Sequence, residues 1–135
     1  MDDVSLAGLR IVVVEDDDDG RYTIVKLLEM SGASVAGVDN ADHGLRVIRV
    51  MKPDVLVSDI GLPGRDGLWL IREVRRDEQL RAIPAVAVTA RVSSADRRVI
   101  LAAGFHAHVA KPFDFDHLID SIRRVVAASR ARAGC

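Results

Sequence analysis

Three carboxylates, one hydroxyl and one amine occupy unusual places in this chain, each where an apolar run stops. Glu15 and Asp16 follow the run Ile11-Val12-Val13-Val14, Asp59 ends a second run, Thr89 a third, and Lys111 a fourth. Gathered at one place, the three acids would repel, by roughly 4 kcal/mol for two unit charges about 4 Å apart at an effective dielectric near 20. A cation is needed among them. A hard divalent ion fits, and Mg²⁺ in particular takes one or two carboxylates, several waters and phosphate oxygens. Lys111 adds a positive charge that can reach an anionic ligand, and the Thr89 hydroxyl can donate a hydrogen bond to it. Ala90, directly after Thr89, is small enough to leave the approach to Asp59 open. The set describes a site for a phosphoryl group bound to metal. Each member also has a plainer use: an acid after a strand caps a helix, Thr is a common strand former, and Lys-Pro-Phe stops a loop. The spacing of the whole set is what distinguishes it.

The elements that must bring these residues together follow from periodicity. Short apolar runs alternate with stretches of helical period, the signature of βαβ units around a parallel sheet. Strands are predicted over 9–14, 34–38, 54–59, 83–89 and, more weakly, 106–111. The first is almost wholly apolar, as expected of a strand covered on both faces. Ile24, Leu27 and Leu28 mark a first helix that Gly32 terminates. Asn40 caps a second helix bearing Ala41, Leu45 and Ile48, with Pro53 beyond its end. Leu68, Ile71 and Val74 mark a third. Ser93 and Asp96 have the spacing of a capping box for a fourth helix, which Gly104 ends. Asp114 or Asp116 opens a fifth, carrying Leu118, Ile122, Val125 and Val126. In an open parallel sheet the carboxyl ends of the strands form the ligand crevice, so the five polar residues can converge there. Residues 1–6 read as a lead, 7–128 as one domain and 129–135 as a frayed tail.

The run Asp16-Asp17-Asp18-Asp19-Gly20 invites a calcium-loop reading. With Gly20 at the sixth loop position, the closing acid at the twelfth would be residue 26, which is Lys26. Asp17 to Asp19 instead suit the start of the first helix, where negative charge complements the dipole.

Composition sets outer bounds. At 135 residues the chain has the size of one domain, and 19 basic against 20 acidic residues leave no dominant patch for nucleic acid. No run reaches the roughly 20 apolar residues of a membrane helix, and the first residues lack a basic secretory start. A cytoplasmic protein is the expectation. The single cysteine, Cys135, excludes an internal disulfide and a cysteine metal cluster.

Four segments then carry a resemblance: Val12-Val13-Val14-Glu15-Asp16-Asp17, Ser58-Asp59-Ile60-Gly61-Leu62-Pro63-Gly64-Arg65-Asp66-Gly67, Val88-Thr89-Ala90 and Ala110-Lys111-Pro112-Phe113. Over about residues 7–128 the chain resembles the receiver domain of two-component response regulators. The resemblance implies a flavodoxin-like α/β fold, a doubly wound five-stranded parallel sheet of order 2-1-3-4-5 with five helices. It implies phosphorylation of Asp59 by a sensor histidine kinase or phosphotransfer protein, with Thr89 and Lys111 assisting. Mg²⁺ would be held by Glu15, Asp16, Asp59 and the Gly61 backbone carbonyl, and the Lys111–Pro112 peptide would be cis. Such a domain is a phosphoacceptor that catalyses its own phosphotransfer and slow dephosphorylation rather than an enzyme acting on others. Output would pass to a protein target through the fourth helix, fifth strand and fifth helix, with no direct nucleic-acid or membrane contact and homodimerisation left open. Thr89 would be one switch residue. The second falls on His108, where the family carries Tyr or Phe, so a titratable ring replaces an aromatic one.

Two other readings compete. A small Mg²⁺-dependent phosphohydrolase would use the acids after the first strand as nucleophile, but the chain has no cap insertion and Asp59 sits in its own Pro-Gly loop. A receiver-like interaction module without phosphorylation would lack acceptor-site residues, and all are present.

Overall fold

Alternation of side chains along short strands sorts the core of this protein into two layers. The structure, a computed structural model, describes residues 5–90 and 93–133. In chain order the elements are β1 (Arg10–Val14), α1 (Asp18–Met30), β2 (Ser34–Val38), α2 (Ala41–Met51), β3 (Val55–Asp59), α3 (Gly67–Arg76), β4 (Ala85–Thr89), α4 (Ser94–Ala103), β5 (Ala107–Ala110) and α5 (Phe115–Ala133). All neighbouring strands pair in parallel, in the order β2-β1-β3-β4-β5. The five strands and their order match the expectation.

Because successive strand residues face opposite sides, Ile11, Val13, Val55, Val57, Val86, Val88 and Val109 join Ile24 and Leu28 of α1 and Leu118, Ile119 and Ile122 of α5. Val12, Val14, Leu56, Ala85 and Ala87 join Leu45 and Ile48 of α2, Leu70, Ile71 and Val74 of α3, and Ile100 of α4. Covered on both faces, β1 after Arg10, β3 and β4 carry runs of Ile, Val, Leu and Ala with no polar break until their carboxyl ends.

Local stops and starts follow side-chain chemistry. The Asp17 carboxylate accepts from the Gly20 amide at 2.7 Å and caps α1, which gives the aspartate run its structural use. Asn40 accepts from His43 at the start of α2, Asp66 from Trp69 at the start of α3, and Ser93 from Asp96 at the start of α4. The Ser93 hydroxyl also donates to the Asp96 carboxylate at 2.7 Å. Gly32, just past α1, and Gly104, at the end of α4, take φ of 102° and 128°, values that favour glycine at helix ends.

Two boundaries differ from expectation. Residues 129–133, placed in a frayed tail, continue α5 to Ala133, because Val125 and Val126 still pack on the sheet and the helix propagates past them. Leu6, placed in the lead, is buried, and its amide donates to the Ser31 carbonyl at 2.7 Å.

One glycine holds the crevice geometry. A Cβ on Gly67 would overlap the Asp59 carbonyl oxygen and lie 2.8 Å from Ile60 Cα, both backbone atoms that cannot rotate away. Gly67→Ala is therefore expected to destabilise the domain by about 2–4 kcal/mol, as overpacking against backbone does. Urea denaturation followed by far-UV circular dichroism checks it, and a midpoint equal to wild type would show that the turn adapts.

Candidate functional site at the carboxyl rim of the sheet

The parallel sheet ends β1, β3, β4 and β5 on one rim, and the polar residues singled out by sequence lie there. Glu15 follows β1 and is fixed by its amide, which donates to the Val38 carbonyl at 3.0 Å. Asp59 closes β3, Thr89 closes β4, and Lys111 follows β5 with its amide donating to the Thr89 carbonyl at 2.8 Å. One carboxylate oxygen from each of Glu15, Asp16 and Asp59 lies within 4.8 Å of the others. The structure brings the acids together as expected, and among the described residues no other such acidic trio occurs.

Lys111 holds this cluster. Its Nζ donates to Glu15 Oε1 at 2.7 Å and to Asp59 Oδ2 at 2.8 Å, joining three strand ends through one amine. The other Glu15 oxygen, Oε2, accepts from the Asp17 amide at 3.2 Å, and Asp59 Oδ1 accepts from the Gly61 amide at 3.1 Å. Glu15 is 3% exposed, whereas Asp16 is open to solvent. Arg21 of α1 adds a brace, donating from Nη1 to the Glu15 carbonyl at 2.9 Å. This brace was not legible in sequence, although an Arg six residues after a strand-end acid and one turn into a helix is the signal it leaves.

Electrostatics match the burial. Removal from water pushes the Glu15 carboxyl above its ordinary value, the Lys111 and Asp17 hydrogen bonds oppose that push, and the nearby Asp59 charge reinforces it. For Lys111, burial works to lower the amine, but its hydrogen bonds to Asp59 and Glu15 and their charges outweigh it, so it is held above its usual value.

Of the remaining expected residues, Thr89 is buried at the rim. The Lys111–Pro112 peptide is cis. His108 lies half-buried on β5, opposite Ala87 of β4. Burial first, then the positive charges of Arg97 on α4 and His117 on α5, lower its basicity, so it carries less charge than an open histidine.

The oxygens at this rim fit Mg²⁺. All three lie within 4.8 Å of one another, so small side-chain adjustments suffice for one hard cation to bridge them. The donor set is hard and anionic throughout, with no sulfur or imidazole, which also favours Mg²⁺ over softer ions. Beside the acids an apolar groove of about 740 Å³ runs between α1 and the loop entering α5, lined by Ile24, Leu27, Ala90, Pro112, Phe113 and Phe115. Sequence reasoning missed this groove, since Leu27 and Phe113 read equally well as ordinary core positions.

Comparison with known proteins agrees with the fold. Residues 11–123 match the family described as the response regulator receiver domain. The chain is 31% identical to protein PilH of Pseudomonas aeruginosa over 87% of its length and 98% of that protein. It is also 31% identical to the polar-differentiation response regulator DivK of Brucella anthropi, covering 84% of this chain and 92% of the relative. Transcriptional regulators such as CseB of Streptomyces coelicolor, 37% identical, are spanned only over 48% of their length. Among solved structures, the receiver domain of a sensor histidine kinase from Pseudomonas aeruginosa superposes with a TM-score of 0.83 at 31% identity, over 90% of this chain and 99% of that one; it was solved with a magnesium ion coordinated in its active site cleft. This chain belongs to the response regulator receiver family, the signalling domains of two-component systems.

The raised basicity of Lys111 has a measurable sign. A group whose folded value lies above its unfolded one contributes stability below the unfolded value, here 10.5, and that contribution is lost as pH climbs through the folded value. Wild-type stability without Mg²⁺ is expected to fall above about pH 10.5. In Lys111→Met this alkaline loss is expected to shrink, while stability at neutral pH drops by about 1–3 kcal/mol because Glu15 loses its counter-charge in a partly solvated site. Denaturant midpoints measured from pH 7 to 11.5 in both proteins check this, and parallel pH curves would contradict it.

Proposed function

We propose that this domain accepts a phosphoryl group on Asp59 from a phosphohistidine of a sensor kinase or phosphotransfer protein and thereby switches the α4-β5-α5 surface. The observation that carries the reading is the clustering of Asp59 with Glu15, Asp16 and Lys111 at one open rim. A bound Mg²⁺, held by Asp16, Asp59, Glu15 and the Gly61 carbonyl, would supply charge neutralisation for the phosphoryl oxygens.

The chain's own residues do the rest. An Asp59 carboxylate oxygen attacks phosphorus as the bond from phosphorus to the donor imidazole nitrogen breaks, giving an aspartyl phosphate and a neutral donor histidine. Lys111, already 2.8 Å from Asp59, turns its charge to the arriving oxygens, the kind of positioned electrostatic stabilisation that dominates phosphoryl transfer. Ala90 leaves the approach open. The groove lined by Phe113, Phe115 and Leu27 gives an apolar seat for the partner's helix beside the acceptor. Water attacking the same phosphorus later returns the free carboxylate.

Phosphorylation adds about 1.5 to 2 negative charges and new acceptor oxygens. The Thr89 hydroxyl turns toward them, and His108 follows as the second switch residue. Arg97 and His117 near that ring favour its neutral form, which lowers the cost of drawing it inward. The target is a protein, and the setting the cytoplasm.

Asp59→Asn is expected to keep the fold and lose all phosphoryl acceptance, measured as acid-labile label after incubation with a labelled low-molecular-weight acyl phosphate; retained label sinks the assignment. Asp16→Ala is expected to weaken Mg²⁺ binding by at least about tenfold, since even outer-shell partners of a metal cost 10–100-fold. Fluorescence of Trp69, the only tryptophan, read against Mg²⁺ concentration measures it, and an unchanged affinity removes Asp16 from the site.

A further inference from the structure

At the rim opposite the acids, several arginines and a histidine gather, and Arg75 and Arg132 among them form no ion pair with a described carboxylate. Arg75, at the end of α3, donates from Nε and Nη2 to the Gly104 carbonyl at 2.9 and 2.7 Å, and from Nη1 to the Arg81 and Ile83 carbonyls at 2.9 and 2.7 Å. All of its bonding goes to neutral groups. Its Nη2 also lies 3.4 Å from His106 Nδ1, which accepts from the Ala85 amide at 3.1 Å. With Nδ1 an acceptor, the neutral ring carries its hydrogen on Nε2, and no described group accepts it. His106 in turn lines a cleft of about 410 Å³ between β5 and the C-terminal half of α5, shared with Ser121, Arg124, Val125 and Arg132.

Arg132 forms no ion pair among the described residues. It offsets the α5 dipole in the last turn, but a full charge against roughly half a unit leaves an excess. Arg124 uses Nε on Asp120 at 2.9 Å, which leaves its two terminal nitrogens for another acceptor. Asp120, the partner of Arg124, does not line the cleft, and neither does any other described carboxylate.

We propose that this cleft binds the phosphate group of a small soluble molecule through His106, Ser121, Arg124 and Arg132. A phosphate dianion supplies the missing counter-charge, accepts from two guanidinium forks and a hydroxyl, and takes a hydrogen bond from the free imidazole nitrogen. The volume exceeds that of bare phosphate and lies in the range of small-ligand pockets, so a phosphomonoester fits better than the ion alone. The other charged groups facing His106 are Arg75 of α3 and Arg132 of α5, which together with burial disfavour its protonation. With Nδ1 occupied by the Ala85 amide, the ring meets the anion in its neutral form, donating from Nε2.

The proposal stands apart from phosphorylation of Asp59 and is tested without Mg²⁺. Histidine ring resonances of the intact chain are followed by NMR against inorganic phosphate and, in parallel, glycerol 3-phosphate. The His106 ring resonances are expected to shift saturably with either ligand, as its Nε2 hydrogen passes from water to the phosphate. Tighter binding of the ester than of inorganic phosphate identifies an organic phosphate as the ligand; equal binding assigns the ion itself. Arg132→Gln, at an exposed position, and Arg124→Gln are each expected to weaken binding at least about tenfold. A His106 resonance unmoved up to about 20 mM of either ligand, or affinity unchanged in both variants, overturns the site.

Discussion

One ammonium group between two carboxylates sets the geometry of the working rim. Lys111 reaches Glu15 beyond β1 and Asp59 at the end of β3, so an edge strand is tied across the sheet to its centre by charge rather than by backbone pairing. Glu15 is nearly buried, and a buried acid without a partner is costly. The arrangement is therefore held by mutual need: the acid requires the amine, and the amine is placed by a strand whose backbone bonds to Thr89. An incoming anion competes for the same amine, which makes the site sensitive to charge without any large movement.

How much of this was legible in the sequence depended on the kind of physics involved. Strand and helix identity came through well, because the short unbroken apolar runs of β1, β3 and β4 and the helical spacing of Leu45 with Ile48 are local patterns. Caps were legible for the same reason, as with Asn40, Ser93 and the aspartates before α1. The gathering of Glu15, Asp16 and Asp59 could be anticipated from a topological rule about where parallel strands end. What could not be anticipated was pairing across the sheet: that Lys111 grips Glu15 as well as Asp59, that Arg21 braces the Glu15 carbonyl, or that Arg75 satisfies three carbonyls from α3. These contacts join residues far apart in sequence or depend on side-chain reach, and no periodicity encodes them. The end of α5 was misjudged because small residues and arginines read as a tail when the helix they continue was not yet in view.

His108 lies half-buried on β5, and burial together with the charges of Arg97 and His117 lowers its basicity. An imidazole carries two nitrogens that need partners when water is taken away, which a hydrocarbon ring does not. Burial at this position therefore costs more than it would for a purely apolar side chain.

The division of the core into two layers has a steric result. The apolar groove beside the acids belongs to the α1 and α5 side of the sheet, while Val99 and Leu101, exposed on α4, belong to the other. The sheet thus acts as a partition that keeps two greasy patches apart, one sheltered next to charge and one bare to water.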